Sequence, residues 1–369
     1  MMMNKKVLIS GAGFAGLTLA YWLHRFGFQV TVIELGKGLR KGGSPIDVRG
    51  NALEVVKEMG IYDIIKSREF VHTDQIVNAA DKTLATFSIN AQAEYLGDIE
   101  IHRGDLIGIL YGIVKDDIEV IFDNNIKQLV QSGNNIEVCF EQGGCRNFDL
   151  VFGADGTHSV VRQLVFGPEE NFKKFFGVYF AFAAAGHIQT GRPKDTGVIY
   201  RELGRQAIIY PFKDEVNAVL LFRAPELDWD YRNQQQHKQI LREYFGGNMN
   251  WKIPEILEVM LHSESLYFDE ASQIHMPTWT KGRVALVGDA AYAPSFFTGM
   301  GTSLALQGAM ILAKALHENE QHDVAFKTYN ESFSSFVKGI QARITRGLKV
   351  QLPETQQELE SSIARWNSK

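Results

Sequence analysis

The stretch Val7-Leu8-Ile9-Ser10-Gly11-Ala12-Gly13-Phe14-Ala15-Gly16 decides how this chain begins to fold. Val7 to Ser10 is a short run of the kind that a strand buried on both faces needs. Gly11 permits a tight strand-to-helix turn. Gly13 lets a backbone approach a pyrophosphate, and Gly16 lets the helix lie close to the strand. Residues 17–26 then carry helical spacing, with Gly27 as the stop. Residues 29–33 are a second apolar run, ending at Glu34, eighteen residues after Gly16. An acid at a strand end, at about that distance, suits a ribose 2′-hydroxyl. The opening reads as a βαβ unit that seats a dinucleotide phosphate on a helix N-terminus. The pattern alone does not choose between FAD and NAD.

Residues 36–50, rich in Gly and Lys/Arg, read as a long loop, and 51–59 as a helix ended by Gly60. Residues 71–89 read as two strands. Residues 103–114 read as a helix with Leu106, Ile109, Leu110 and Ile113 on one face. A strand meander follows over 119–139, turning at Ser132-Gly133-Asn134. From about 171 to 270 alternating strands and dense aromatics dominate, interrupted by a helix over 235–245. A buried strand at 283–287, a largely apolar helix over 302–316, a long helix over 323–347 and a last one over 356–366 complete the chain. Its 369 residues exceed what one core usually supports. The expected class is α/β. A Rossmann-type nucleotide-binding domain takes residues 1–70, 96–170 and 275–320. A second, mainly antiparallel β-sheet domain for substrate takes 71–95 and 171–274, and a C-terminal helical element takes 321–369.

The net charge of −5 provides no basic field for nucleic acid or anionic lipid. The two cysteines, Cys139 and Cys145, cannot supply a disulfide framework and read as inert thiols in a reducing compartment. No run of ~18 uncharged apolar residues marks a membrane span. The apolar start after Lys5 and Lys6 is broken by glycines and lacks a cleavage site, so it reads as structure. A cytoplasmic monomer is expected. The ten histidines show no metal-ligand spacing, and no Ser/His/Asp triad or carboxylate pair assembles, so neither a metal nor a catalytic side chain is assigned.

Two further motifs join the first. Gly153-Ala154-Asp155-Gly156 is followed by Ser159 and Arg162, and Gly288-Asp289-Ala290-Ala291 by Pro294 and Gly299-Met300-Gly301. Each is a buried strand ending in a carboxylate beside small residues. Strand-end Asp is also a common turn former, so each is weak in isolation. Together the three resemble the single-component FAD-dependent aromatic hydroxylases, the p-hydroxybenzoate hydroxylase-like monooxygenases, from Lys6 to about Leu316. Arg103-Gly104-Asp105-Leu106 is similar to that family's R-x-x-L helix start. Closer still, the loop Arg40-Lys41-Gly42-Gly43-Ser44-Pro45-Ile46-Asp47-Val48-Arg49-Gly50 looks like that of the tetracycline-inactivating flavin monooxygenases, the tetracycline destructases. So do Glu58-Met59-Gly60-Ile61-Tyr62-Asp63 and Trp279-Thr280-Lys281-Gly282-Arg283.

The resemblance implies FAD as cofactor, held by Gly11, Gly13, Ala15, Gly16, Glu34, Leu35, Arg40, Arg103, Asp155, Gly288, Asp289, Gly299, Met300, Gly301 and Thr302. It implies NAD(P)H as reductant, and O2 adding to the reduced flavin as a C4a-hydroperoxide that hydroxylates an aromatic or polyketide-like small molecule; tetracycline inactivation belongs to that range. Met300 departs from the family's frequent glutamine, although the helix after it still aims its N-terminus at the flavin. A dry enclosure suits such chemistry. Its candidates are Phe172, Phe175, Phe176, Tyr179, Phe180, Phe182, Phe222, Phe296 and Phe297, beside Pro294. Arg201 and Arg223 would orient an oxygen-rich substrate, and Phe182, Arg201, Phe222, Pro294, Phe296 and Phe297 are the expected substrate residues. The related branch carries a C-terminal helix against the substrate site, and residues 323–347 are expected to gate it. Two alternatives stay open: a non-catalytic flavin or ligand-binding protein, and a flavin-dependent halogenase. The halogenase pattern W-x-W-x-I-P is incomplete in Met249-Asn250-Trp251-Lys252-Ile253-Pro254.

Overall fold

The computed structural model describes residues 4–39, 45–88, 97–212 and 215–367. The chain divides into two compact units, one of residues 1–69, 97–174 and 272–342 and one of 70–96, 175–271 and 343–369. The stretch expected as a separate C-terminal element is shared between them. Among the described residues no helix is long and apolar enough to cross a membrane.

The first unit is built on a six-stranded sheet in the order Thr280–Lys281, Val284–Leu286, Leu150–Gly153, Lys6–Ser10, Gln29–Ile33 and Glu119–Ile121. All neighbouring pairs but the first are parallel. Val7, Leu8, Ile9, Val32, Leu150, Val151 and Phe152 are fully buried, which is why these strands read as unbroken apolar runs. Helices Phe14–Arg25 and Gly301–Glu318 pack on each other, and His322–Gln341 packs on the latter. The expected loop over 36–50 contains a strand, Pro45–Val48, paired antiparallel with Ile99–His102. Helix 323–347 is also corrected. It stops at Gln341 because the carbonyl of Gln341 accepts the side-chain amide of buried Gln273 at 2.9 Å. The Gln341 side chain meanwhile donates to the Ile274 carbonyl. A second helix, Ile344–Gln351, follows.

A three-stranded antiparallel sheet, Ile126–Ser132, Asn135–Phe140 and Cys145–Phe148, turns at Gly133 as the sequence indicates. In its last hairpin Cys139 and Cys145 stand directly opposite and form a disulfide, so they are not the free thiols expected from their scarcity.

The second unit holds a seven-stranded sheet in the order Tyr267–Ile274, Lys173–Ala184, Glu215–Arg223, Arg205–Phe212, Thr196–Glu202, Thr73–Val77 and Thr83–Phe87. Side chains alternate between its faces. One face bears Tyr179, Ala181, Val198, Ala207, Ile209, Leu220 and Phe222, buried with helices Gln234–Phe245 and Ile253–His262. The other bears Ile76, Ala85 and Ile199, packed by Ile363 and Trp366 of helix Gln356–Asn367.

Candidate functional site

The glycine turn is dictated by its neighbours. Gly11 has φ +106°, and a Cβ there would lie 2.4 Å from the Ala154 carbonyl oxygen. A Cβ on Gly16 would lie 1.9 Å from the Gly11 carbonyl oxygen. Gly13 differs, for a side chain there would meet nothing within 4 Å. Two of the three glycines thus serve packing, and the third borders open space. Gly288, at φ +67°, faces the same helix, its would-be Cβ 2.7 Å from Ala15. Phe14, beside them, lies under the Arg103 guanidinium at 5.3 Å. The motifs are far apart in sequence and meet here at the carboxyl end of the parallel strands, where open α/β sheets bind ligands.

Glu34 closes one side of this cluster. Its carboxylate accepts the backbone N–H of Ala12 at 2.9 Å and of Gly36 at 2.8 Å. Leu35 is 61% exposed, and Arg40 lies outside the described residues. Asp155 is wired inward. It accepts the Ser159 hydroxyl at 2.5 Å and the Val161 N–H at 3.1 Å, and burial pushes its carboxyl above the usual range. Asp289 is exposed at the start of the short helix Asp289–Tyr292. Gly299 is left-handed at φ +63°, with Arg49 Nη1 3.0 Å from where a Cβ would be. Met300 caps helix Gly301–Glu318, and Thr302 is buried in its first turn. The Arg49 N–H donates to Ser303 Oγ in that same turn at 2.9 Å.

Arg162 belongs to this site but was not among the candidates. Fully buried, it donates to the Ala290 carbonyl at 3.0 Å and to Thr157 and Glu169, and so ties the Asp155 loop to the Asp289 helix. Its sequence signal is the Ser159-x-x-Arg162 spacing, which puts Arg162 in the first turn of helix Val160–Phe166, where its N–H donates to Ser159 Oγ.

This cradle fits a dinucleotide. Helices Phe14–Arg25 and Gly301–Glu318 both begin without a side-chain cap and without an acid in the first turn. Gly13 and Gly301 both border open space. Uncapped helix N-termini with room beside them suit phosphate and other anionic groups.

The substrate candidates separate. In the first unit Pro294 is buried, Phe297 is buried, and Phe296 is 45% exposed with its ring 4.1 Å from that of Phe297. In the second unit Phe222 is fully buried among Tyr179, Tyr244, Phe245 and Phe268, on the helix-covered face. Phe222 and Tyr179 are therefore core, which corrects the substrate role expected of Phe222. Phe182 and Arg201 lie on the opposite face, as the pairings Phe182–Val219 and Arg201–Gln206 show. Arg201 Nε donates to Gln206 Oε1 at 2.7 Å, and burial pushes the guanidinium down to about 10. Arg223 is held by the Leu352 carbonyl and by Glu354, a structural role.

Residues 4–343 match the model of the family described as FAD binding domain. The chain belongs to that family. It is 36% identical to a flavin-dependent monooxygenase of Legionella longbeachae, over 90% of this chain and 86% of the relative. An uncharacterized protein of Mycobacterium tuberculosis, Rv1260, is 37% identical over 97% of this chain and 98% of its own length. Among solved structures, tetracycline destructase Tet(51) superposes with a TM-score of 0.87 at 34% identity, covering 99% of this chain and 95% of that one. Tet(55) gives 0.87 and 34%, covering 100% and 96%. The resemblance read from the motifs thus extends over the whole FAD-binding chain, which is of the flavin-dependent monooxygenase type.

Proposed function

We propose that the protein is an FAD monooxygenase that uses NAD(P)H and O2 to hydroxylate an aromatic or polyketide-like small molecule, with a tetracycline-type scaffold as the leading substrate. The observation that carries this is the meeting of the glycine turn, the Asp155 loop and the Gly288 corner at one strand edge, beside two uncapped helix N-termini. FAD, when bound, supplies the electron transfer and oxygen activation that side chains cannot.

The chain's own residues bind and orient. The amides after Gly13 would hold the pyrophosphate of FAD, and Glu34 fixes the turn that bears them. Arg162 holds the Ala290 carbonyl and with it the corner that bears Asp289. The uncapped N-terminus of Gly301–Glu318 would suit negative charge on the flavin ring system. Phe296 and Phe297 provide apolar surface that keeps water away from it. Arg201 and Phe182 supply the polar and apolar contacts for substrate.

The test is NADPH and NADH oxidation by FAD-loaded protein against phenols, anthracyclines and tetracyclines, with mass spectrometry of products. The expected result is substrate-stimulated oxidation and a product heavier by one oxygen atom. Ligands that bind without stimulating oxidation would favour a non-catalytic flavin protein instead.

A further inference from the structure

The chain's two cysteines form a bond that the core does not need. In the hairpin of strands Asn135–Phe140 and Cys145–Phe148, the residues Ile136, Val138, Phe140 and Phe148 are buried on the inner side. Cys139 and Cys145 stand opposite each other on the outer side, Cys139 half-buried and Cys145 exposed. The bridge joins residues six apart, across a hairpin that the backbone already closes, with the Phe140 N–H donating to the Gly144 carbonyl at 3.0 Å. Cross-links that close short loops constrain the unfolded chain least. Disulfides open to solvent are the ones that reductants and oxidants reach. The pair is ill placed as a global staple and well placed for reversible chemistry.

What the bridge fixes is local. It ties the ends of the loop over 140–144, and that loop is bound to the segment over 123–125. The Glu141 N–H donates to the Asn125 carbonyl at 2.9 Å, and the Gln142 N–H to Asn124 Oδ1 at 3.1 Å. In return Asn124 Nδ2 donates to the Gln142 carbonyl at 2.8 Å, while Gln142 Nε2 donates to the Asp123 carbonyl at 3.0 Å. On its far side the same segment is bound to the stretch that begins at Glu34. The Asp123 N–H donates to the Gly36 carbonyl at 3.0 Å, and the Asn124 N–H to the Glu34 carbonyl at 3.1 Å. Asp123 has φ +57°, a left-handed conformation that a residue other than glycine keeps only where its surroundings impose it. Asn124, 8% exposed, is shared by both sides. The path runs from the disulfide through Gln142 and Asn124 to Glu34, whose carboxylate accepts the Ala12 N–H inside the glycine turn.

We propose that Cys139 and Cys145 are a reversible thiol–disulfide site that sets how firmly the protein holds FAD. Oxidised, the bridge keeps the loop against Asn124, and Asn124 keeps Glu34 and Gly36 in place at the glycine turn. Reduced, the loop loses its covalent closure, Asn124 is held less firmly and FAD binds more weakly. The proposal rests on the reading that FAD lies at the Glu34 turn. Reduction takes a dithiol. Its thiolate attacks one sulfur, and the other cysteine leaves as a thiolate and takes up a proton. The reagent's second thiol then closes its own disulfide and releases the first cysteine, so two electrons and two protons pass to the protein. Hydrogen peroxide reverses this. One cysteine thiolate attacks the O–O bond to give a sulfenic acid and one water, and the other thiol displaces a second water as the S–S bond forms.

The experiment compares apoprotein reduced with dithiothreitol and apoprotein re-oxidised with hydrogen peroxide. Thiols are counted in each form, and each is titrated with FAD by flavin fluorescence. The reduced form is expected to bind FAD about fivefold more weakly, the worth of roughly one net hydrogen bond, and peroxide should restore the affinity. The double variant Cys139→Ser with Cys145→Ser should bind as the reduced form does and ignore both reagents. Asn124→Ala should bind weakly and alike in both redox states. Hydrogen exchange of the apoprotein should quicken on reduction over 121–125 and 34–36 but not over Val7–Ser10. Equal FAD affinity in the two wild-type forms overturns the proposal, as does a redox difference that survives Asn124→Ala, or a thiol pair that peroxide does not close. A double-serine variant that binds FAD as the oxidised protein does overturns it too. If Glu34→Arg binds FAD as wild type does, the placement of FAD fails and the proposal with it. If Glu34→Arg binds weakly while the two redox forms are alike, the placement stands and the switch alone fails.

Discussion

Glu34 accepts the backbone N–H of Ala12 at 2.9 Å, inside the glycine turn, from a position twenty-two residues later in the chain. Its second oxygen takes the Gly36 N–H. The acid that suits a ribose hydroxyl is thus also a strut for the turn that faces the pyrophosphate. Glu34→Gln keeps one acceptor and sets an NH2 against an N–H, so FAD affinity should fall by about tenfold. Glu34→Arg removes both acceptors and should fall further. Fluorescence titration of apoprotein with FAD measures this, and equal affinities in all three proteins would remove Glu34 from the site.

The glycines allow a sharper separation of ligand from fold. Gly16→Ala places a Cβ 1.9 Å from a backbone oxygen, so this variant should lose both stability and FAD. Gly13→Ala places a Cβ in open space and should leave the fold intact. If a pyrophosphate lies against Gly13, the same methyl group displaces it, and FAD retention drops while the circular dichroism of the apoprotein is unchanged. Full FAD retention in Gly13→Ala would argue that the cofactor does not approach this turn.

These contrasts show what was legible in the sequence. Val7 to Ser10, Gly16 and the 302–316 helix are encoded by neighbours in sequence, and each lies where its local pattern indicates. Phe222 was misread because alternation tells which residues share a face, not which face a helix will cover. That depends on Ile253–His262, a helix with Pro254 in its first turn, whose first two residues close the Met249–Pro254 segment that resembles a halogenase motif. The long helix over 323–347 is interrupted by Gln273, sixty-eight residues before Gln341, which no local pattern reveals. Cys139 and Cys145 meet because Gly143 and Gly144, both at positive φ, turn the chain between them. Scarcity of cysteine says nothing about such a cross-strand pair.

His237 gives the second unit a pH dependence. It is 2% exposed, stacks on Phe268 at 4.9 Å, and has Nε2 2.9 Å from the Asp230 carbonyl oxygen. Burial lowers its pKa below 6.5, although Asp230 and Asp269 oppose the shift. The unfolded chain therefore binds a proton here at a higher pH than the folded one. Its contribution to stability is present above 6.5 and is lost as pH falls through 6.5 toward the folded value. His275 and His322 are shifted the same way. The loss of urea stability between pH 7.5 and 5.5 should thus be smaller in His237→Phe, which keeps the stacking, but not zero. An identical loss in both proteins would exclude His237 as a contributor.

The gate expected over residues 323–347 falls mostly on helix His322–Gln341, and the later helix Gln356–Asn367 does different work. Ile340, at 1% exposure, belongs with Ala325, Phe326, Tyr329, Phe333 and Val337 to the core of the first unit. Ile340→Ala should therefore cost ~2–4 kcal/mol of stability, as large-to-small core changes do, with coupling of NAD(P)H oxidation to product unchanged. Trp366, in helix Gln356–Asn367, stacks on Phe87 at 3.9 Å over the sheet face that bears Arg201. Such a terminal helix, joined to the sheet by a small apolar cluster of Ile76, Ala85 and Ile199, can be loosened without opening the main core. Trp366→Ala should then raise the substrate KM and the fraction of NAD(P)H oxidation released as hydrogen peroxide, at wild-type FAD content and with a smaller loss of melting temperature than Ile340→Ala. Peroxide yield and KM are the readouts that packing alone does not move. Should Trp366→Ala lower only the melting temperature and keep wild-type coupling, the terminal helix is scaffold. Should Ile340→Ala uncouple the reaction without loss of stability, the gate lies in His322–Gln341 after all.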